Sequence, residues 1–253
     1  MERRKLKTNV LIATFVLLIC TGLFVLYMVF PASNVKSIKV TGNYFLSDEY
    51  IKELADVKQR DKYILVSRPN VQNKVEKDDL IERCHVSFSS GNAVTINVVE
   101  KKIVGYQVTG QNAGSVTSLI LADGTVLDFS QHHIENLALL PLFVDIDADK
   151  IEKIAKQLQE IDEDVLYRIS EIHNVKFTYD DDMLKLYMDD GYTLYVSIND
   201  LPNISLYLKI IENKTNYSCI YFDEYKKATV RDCSEIESYI IKNEVTDNDN
   251  EKK

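Results

Sequence analysis

The residues of this chain able to do chemistry are carboxylates, histidines and cysteines, and their spacing decides what each group can do. Asp145, Asp147 and Asp149 alternate as in the first half of a calcium loop. The sixth position of such a loop would be Lys150 where glycine is needed, and the twelfth Lys156 where a glutamate closes the shell. A solvated turn ahead of a helix, with acids near its N-terminus, is the better reading. Asp180, Asp181 and Asp182 could feed a metal or form an acid pair, yet three consecutive acids between strands are usually hydrated surface. His132 and His133 are neighbours and point apart on a strand, while His85 and His173 have no Cys or His three or four residues away. Zinc spacing is missing, as are G-x-S-x-G, S-x-x-K, H-E-x-x-H and a glycine-rich phosphate loop. The expectation is a chain that is not an enzyme, with no cofactor, no metal and no small-molecule substrate.

The four cysteines pose a separate question. Cys20 lies among Leu and Ile as a small apolar residue. Cys84 has no neighbour in its part of the chain. Cys219 and Cys233 flank a closing hairpin, and a three-residue loop at residues 225–227 would set them directly opposite. That geometry admits a disulfide, with two unpaired small residues on an edge hairpin slightly favoured, and the pairing stays open at this point.

The elements that must position these groups begin with a membrane span. Residues 10–30 read VLIATFVLLICTGLFVLYMVF without one charge, long enough at about 1.5 Å per residue to cross a ~30 Å hydrocarbon core. Arg3, Arg4, Lys5 and Lys7 precede it against Glu2 alone, which keeps residues 1–9 in the cytoplasm and places everything after Pro31 outside. A cleaved signal peptide has a shorter apolar region and a small-residue exit, unlike Met28, Val29, Phe30 and Pro31. The whole chain of 253 residues carries −9, so −12 remains outside. That balance argues against nucleic acid, and 8 Gly with 4 Pro exclude collagen-like and low-complexity classes.

Outside the span, the strand VKSIKVT (residues 35–41) is followed by a turn at Gly42 and Asn43. Ser47 then caps a helix with Asp48 and Glu49 in its first turn and Ile51, Leu54 and Ala55 at helical spacing. A second helix starts near Arg68 with Pro69 in its first turn and Val71 and Val75 on one face. Strands at residues 84–88 and 93–99 form a hairpin about Ser89, Ser90, Gly91 and Asn92. Residues 35–102 thus read β-α-α-β-β, with Ile38, Val40, Ile51, Leu54, Val86, Ile96 and Val98 as core.

Residues 103–240 read as a mostly antiparallel β domain with two or three helices, giving an α+β fold class overall. Asp123-Gly124 turns a hairpin, and Leu140-Pro141-Leu142 opens a connecting stretch. Residues 150–161 carry Ile151, Ile154, Ala155, Leu158 and Ile161 along one helical face. In the hairpin at Asp189, Asp190 and Gly191, a three-residue loop sets Leu184, Leu186 and Met188 opposite Val196, Leu194 and Tyr192, keeping one face apolar. Residues 203–214 read as a helix, and residues 217–223 with 228–232 as the closing hairpin. Residues 241–253 form an acidic tail with too few apolar residues to pack.

The order of these motifs resembles the FtsQ/DivIB family of bacterial cell-division proteins. A short basic N-terminus, one span and VKSIKVTGNYFLSDEYIKELADV look like the opening of that family's POTRA domain. CHVSFSSGNAVTINVVEKKIVGY is similar to its last hairpin, and ADGTVLD, LPLF, DDGYTLYVSI and CIYFDEYKKATV follow in the family's order. Two departures stand out: Glu82-Arg83 where the family often has Pro, and Lys226 and Lys227 in a short closing loop. The resemblance implies a single-pass scaffold of the division septum that binds FtsL-like and FtsB/DivIC-like coiled-coil proteins outside the membrane. It implies strand addition at the last β edge, with Tyr221, Phe222, Asp223, Tyr225 and Thr229 as partner-binding residues, Phe222 being equally suited to core packing. A eukaryotic type II membrane protein or receptor ectodomain is the alternative, since Asn203, Asn213 and Asn216 head glycosylation sequons; two of these lie within four residues and several fall in predicted helix or strand, which counts against a chain selected for that pathway. An outer-membrane assembly protein would need barrel strands that this chain lacks.

Overall fold

The computed structural model describes residues 2–108, 115–129, 134–212, 219–223, 225 and 227–241. His132, His133, Asn213, Asn216, Lys226 and the expected tail from residue 242 onward lie outside the described residues. Helix α1 (Glu2–Val29) contains an apolar stretch, Leu11–Val29, of 19 residues, none of it buried by protein. The Thr14 and Thr21 hydroxyls donate to the Leu11 and Leu18 carbonyls at 2.9 Å, so neither needs a partner from lipid.

The chain divides into two compact units between Glu100 and Lys101, with α1 in the first. Lys102, expected to close the first unit, belongs by its bonds to the second: its ammonium donates to the Gln159 carbonyl at 2.9 Å, and its own carbonyl accepts from Ala122 N.

The first unit carries β1 (Ser37–Thr41), α2 (Asp48–Ala55), α3 (Arg68–Val75), β2 (Ile81–Ser89) and β3 (Ala93–Glu100). Its sheet has the order β1-β3-β2, with β1 parallel and β2 antiparallel to β3. Ser47 caps α2 by accepting from Tyr50 N, and Pro69 occupies the first turn of α3. Ile51, Val71, Val75, Val86, Val94, Ile96 and Val98 form the core between helices and sheet. Ile38 and Leu54, expected there, are only half-buried. Gly42 turns the chain at φ +87°, and a Cβ there would collide with the Val98 carbonyl oxygen, so the turn requires glycine on two counts.

Among the described residues the second unit is built on nine strands: β4 (Ile103–Val108), β5 (Val116–Leu121), β6 (Val126–Asp128), β7 (Leu142–Val144), β8 (Ile169–Val175), β9 (Met183–Met188), β10 (Thr193–Ser197), β11 (Cys219–Phe222) and β12 (Ala228–Arg231). They hydrogen-bond in the order β12-β11-β10-β9-β8-β7-β4-β5-β6. The pairings β4 with β7, β7 with β8 and β10 with β11 are parallel and the rest antiparallel. Helices α4 (Ala148–Leu158) and α5 (Glu163–Leu166), with a 3-10 stretch Ile198–Leu206 that runs into α6 (Tyr207–Ile211), contribute to a large core that includes Ile154, Leu158, Ile172, Leu186, Leu194, Ile220 and Phe222. A smaller cluster of Phe177, Met183, Tyr195, Cys219 and Ile236 also receives α7 (Cys233–Glu237).

Pairing of Leu186 with Leu194 and of Leu184 with Val196 gives the expected register of the β9-β10 hairpin, with Gly191 at φ +90°. Three expectations need correction. The helix at residues 203–214 is 3-10 up to Leu206, continuing a 3-10 stretch that contains Pro202, and becomes α-helical only at Tyr207. Strands β4 and β7 stand where a domain junction and a connecting stretch were expected. The closing hairpin is out of the expected register by two residues, so that Cys219 faces Arg231.

Candidate functional site

The outermost strand of the large sheet is β12, with β11 on one side and no strand on the other among the described residues. Tyr221 pairs with Thr229 and Phe222 with Ala228, which leaves residues 223–227 as the loop. Asp223 organises that loop: its N–H donates to the Lys227 carbonyl at 3.1 Å, and its Oδ1 accepts from Tyr225 N at 3.0 Å and Lys227 N at 2.9 Å. Asp223 is therefore first a loop former. The bond from Asp223 N to Lys227 O also fixes the phase of the ladder, since hydrogen-bonded pairs alternate in an antiparallel hairpin. Thr229 and Arg231 consequently turn their backbone groups toward β11. The N–H and C=O groups of Ala228 and Val230 form the outer edge.

Cys219 and Cys233 are joined in a disulfide, with Cα atoms 5.0 Å apart. The favoured reading of two unpaired residues is thus overturned, and by a route that a hairpin drawn in isolation does not show. Cys233 is the first residue of α7, which Asp232 caps by accepting from Ser234 N at 2.9 Å, and this turn brings the sulfur back over the start of β11. Free Cys84 is buried, and that burial, with Glu76 nearby, pushes its thiol up to about 11, leaving it protonated and unreactive at neutral pH.

The expected partner-binding residues separate by face. Strand β11 alternates, with Ile220 and Phe222 in the large core and Cys219 and Tyr221 against the smaller cluster. Phe222 is 1% exposed and packs in the large core, which is the core-packing role equally open to it, while also lining the floor of the cleft beside this edge. Tyr225 is 81% exposed at the loop. Tyr221 and Thr229 are half-buried and share one face. The sequence reading missed two tyrosines that join them. Tyr179 is 57% exposed, and its hydroxyl lies 3.5 Å from that of Tyr221. Tyr239 packs edge-on against Tyr179 with ring centroids 5.9 Å apart. Tyr179, Asp180, Asn199, Tyr221, Asp223 and Tyr225 help to line an open cleft of about 490 Å³ beside this edge. The high tyrosine content, 15 in the chain, was the only signal of such a cluster.

Beneath the cluster, Glu237 of α7 accepts from Lys185 Nζ at 2.8 Å and from the Tyr195 hydroxyl at 2.9 Å. Burial pushes the Tyr195 phenol up to about 12, with Glu237 adding to the rise and Lys185 opposing it. Lys185 is held above its usual value: burial works against its charge, but its hydrogen bonds to Glu237, Tyr187 and Tyr195 prevail.

The other carboxylates singled out by spacing have structural work. Lys150, 8% exposed in the first turn of α4, donates to Asp182 Oδ1 at 2.9 Å and to the Asp181 carbonyl at 2.7 Å. Asp180 Oδ1 accepts from Asp182 N at 2.8 Å. The triple acid thus holds a buried ammonium through the Asp182 carboxylate and the Asp181 carbonyl, while Asp181 itself stays exposed. Asp147 is the N-cap position of α4, with Asp149 in its first turn. Among the described residues no group of three His, Cys, Asp or Glu gathers as a metal shell.

Comparison with known proteins adds a separate line of observation. Residues 33–101 match the family model described as "POTRA domain, FtsQ-type". The chain is 27% identical to the cell division protein DivIB of Bacillus subtilis over 238 residues, covering 89% of this chain and 88% of that protein. It is 30% identical to the cell division protein DivIB of Listeria monocytogenes over 192 residues, covering 75% of this chain and 68% of that protein. Among solved structures it is similar to the major extracytoplasmic domain of DivIB from Geobacillus stearothermophilus, at 25% identity and a TM-score of 0.37, over 46% of this chain and 98% of that one.

Proposed function

This chain belongs to the FtsQ/DivIB family of bacterial cell-division proteins, and from that premise we propose that it is a non-enzymatic scaffold of the division machinery. In this reading α1 crosses the cell membrane once, with residues 1–9 in the cytoplasm and both compact units outside, at the division septum. The basic residues ahead of the span support that orientation. The partners are FtsL-like and FtsB/DivIC-like single-span proteins with coiled coils.

The observation that carries the proposal is the open outer edge of β12. A partner segment that adds as a further strand takes its main-chain bonds from Ala228 and Val230 and finds Tyr221, Tyr225 and Thr229, with Tyr179, as side-chain pockets and anchors. Asp223 acts indirectly, by shaping the loop that presents Tyr225.

The test is co-purification of the full chain with each partner from membranes, beside circular dichroism of the same preparations. Ala228→Pro removes an outward donor at the first residue of a strand, where proline is tolerated. Tyr225→Ala removes an anchor that is 81% exposed and whose loss leaves the fold intact. Each is expected to weaken partner binding by about 1–3 kcal/mol, and cells carrying them should form longer filaments. Thr229→Ala should act less, since it trims one small half-buried side chain and leaves the outward backbone groups of Ala228 and Val230 in place. Wild-type binding by both Ala228→Pro and Tyr225→Ala would rule out this edge.

A further inference from the structure

The end of the first unit where α1 stops has a chemistry of its own. Beyond Val29 the chain makes one 3-10 turn, Pro31–Ser33, and Ser33 Oγ lies 2.6 Å from the carbonyls of both Tyr27 and Phe30. Lys62 closes over this exit. Its ammonium donates to the Phe30 carbonyl at 3.1 Å, to Ser33 Oγ at 3.0 Å and to Asn34 Oδ1 at 2.6 Å, using all three of its hydrogens. The β2-β3 turn joins in, as Asn92 Nδ2 donates to the Ala32 and Asn34 carbonyls at 2.8 and 2.9 Å. The loop around Lys62 is therefore held at the point where the chain leaves the bilayer.

That loop has the composition of a membrane-surface contact. Ile64 and Leu65, on a single 3-10 turn (Tyr63–Leu65) immediately after Lys62, are 68% and 62% exposed. Phe30 at the end of the span is 59% exposed. Residues 56–68 carry Lys58, Arg60, Lys62 and Arg68 against Asp61 and Asp56, the latter 3.7 Å from the exposed Lys58 ammonium, in an exterior that is otherwise strongly acidic. Apolar side chains bracketed by cations suit the boundary between acyl chains and anionic headgroups. Tyr63 and Arg68 both pack on Phe88, at 5.2 and 4.7 Å from its ring centre, which fixes the two ends of the apolar pair on the sheet.

We propose that Ile64 and Leu65 insert into the outer leaflet of the membrane, with Lys58 and Arg60 at its anionic headgroups, and seat the first unit on the bilayer. The contact needs only the span and owes nothing to the docking edge in the second unit.

The chain contains no Trp, so a single introduced Trp reports without background. The full chain is reconstituted in vesicles of phosphatidylglycerol and phosphatidylcholine as Ile64→Trp, as Leu65→Trp and as Tyr44→Trp. Tyr44 is 47% exposed and lies at the opposite end of the sheet, where its N–H donates to Glu100. The expected result is blue-shifted emission from the first two variants, quenched several-fold more by lipids brominated on their acyl chains than emission from Tyr44→Trp. These exchanges at exposed sites leave the core untouched. Unquenched, water-like emission at both positions would overturn the proposal. So would a blue shift that ignores brominated lipid and grows with the protein-to-lipid ratio, which would assign the pair to a second copy of the chain. Equal quenching at all three positions would also overturn it, by showing that the unit has no defined seat.

Discussion

Glu100 shows how much one side chain can organise. It is the last residue of β3, and its two carboxylate oxygens accept from three consecutive backbone donors, Tyr44, Phe45 and Leu46, at 3.1, 2.8 and 2.8 Å. It thereby ties the turn after Gly42 to the far end of the sheet. Glu100→Gln puts an amide donor against one of those donors and is expected to cost about 1.5–3 kcal/mol, read as a lower urea midpoint. Glu49→Ala is the control: its side chain is 81% exposed and 3.8 Å from Lys52, so its loss should change stability by less than about 0.5 kcal/mol. Lys150 works in the same way from the opposite charge. Asp180 to Asp182 could not be understood from sequence, because their partner lies about thirty residues earlier and charge runs carry no record of distant cations.

At the scale of elements, the closing hairpin is the most informative. The disulfide closes a separation of 14 residues around β12, which is worth about 3 kcal/mol by the entropy of the unfolded loop. Cys233→Ser should lose roughly that much stability. The oxidised wild type, treated with a reductant, should fall to the variant's melting temperature, while the variant itself should not respond. The sequence allowed the pairing but placed it across a three-residue loop. The observed five-residue loop depends on Asp223 bonding three backbone groups, which no turn motif announces. Elements with a strong local signature were legible: Ser47 before α2, the apolar face of α4, and Gly191 in the β9-β10 turn. What could not be read were β4 and β7. Strand β4 follows β3 across only Lys101 and Lys102, with no turn residue, and β7 is three residues long with parallel partners on both sides. Parallel neighbours come from distant sequence, so local periodicity cannot reveal them. The closing hairpin itself was legible as two short apolar runs, whereas Tyr179 and Tyr239 reach it through tertiary packing alone.

For the molecule as a whole, buried phenols set the alkaline limit of stability. Burial raises the pKa values of Tyr50, Tyr195 and Tyr207, and Asp78, Glu237 and Asp190 respectively reinforce the rise by hydrogen bonding. The folded chain therefore holds these protons more tightly than the unfolded chain, whose phenols ionise near 10.0. Stability is complete below that value and drains away as the pH climbs toward about 12, where folded Tyr195 ionises. Urea midpoints should be level from neutral pH up to the ordinary phenol value and fall above it, and Tyr195→Phe should flatten that fall. The disulfide has one more consequence under the proposed docking of a partner segment along β12. Strand β12 is fastened at one end by its loop to β11 and at the other by the sulfur bridge just beyond Arg231. A tug on a segment laid along β12 therefore finds no loose end from which to peel the strand, and the force crosses into β11 as shear over the whole ladder at once.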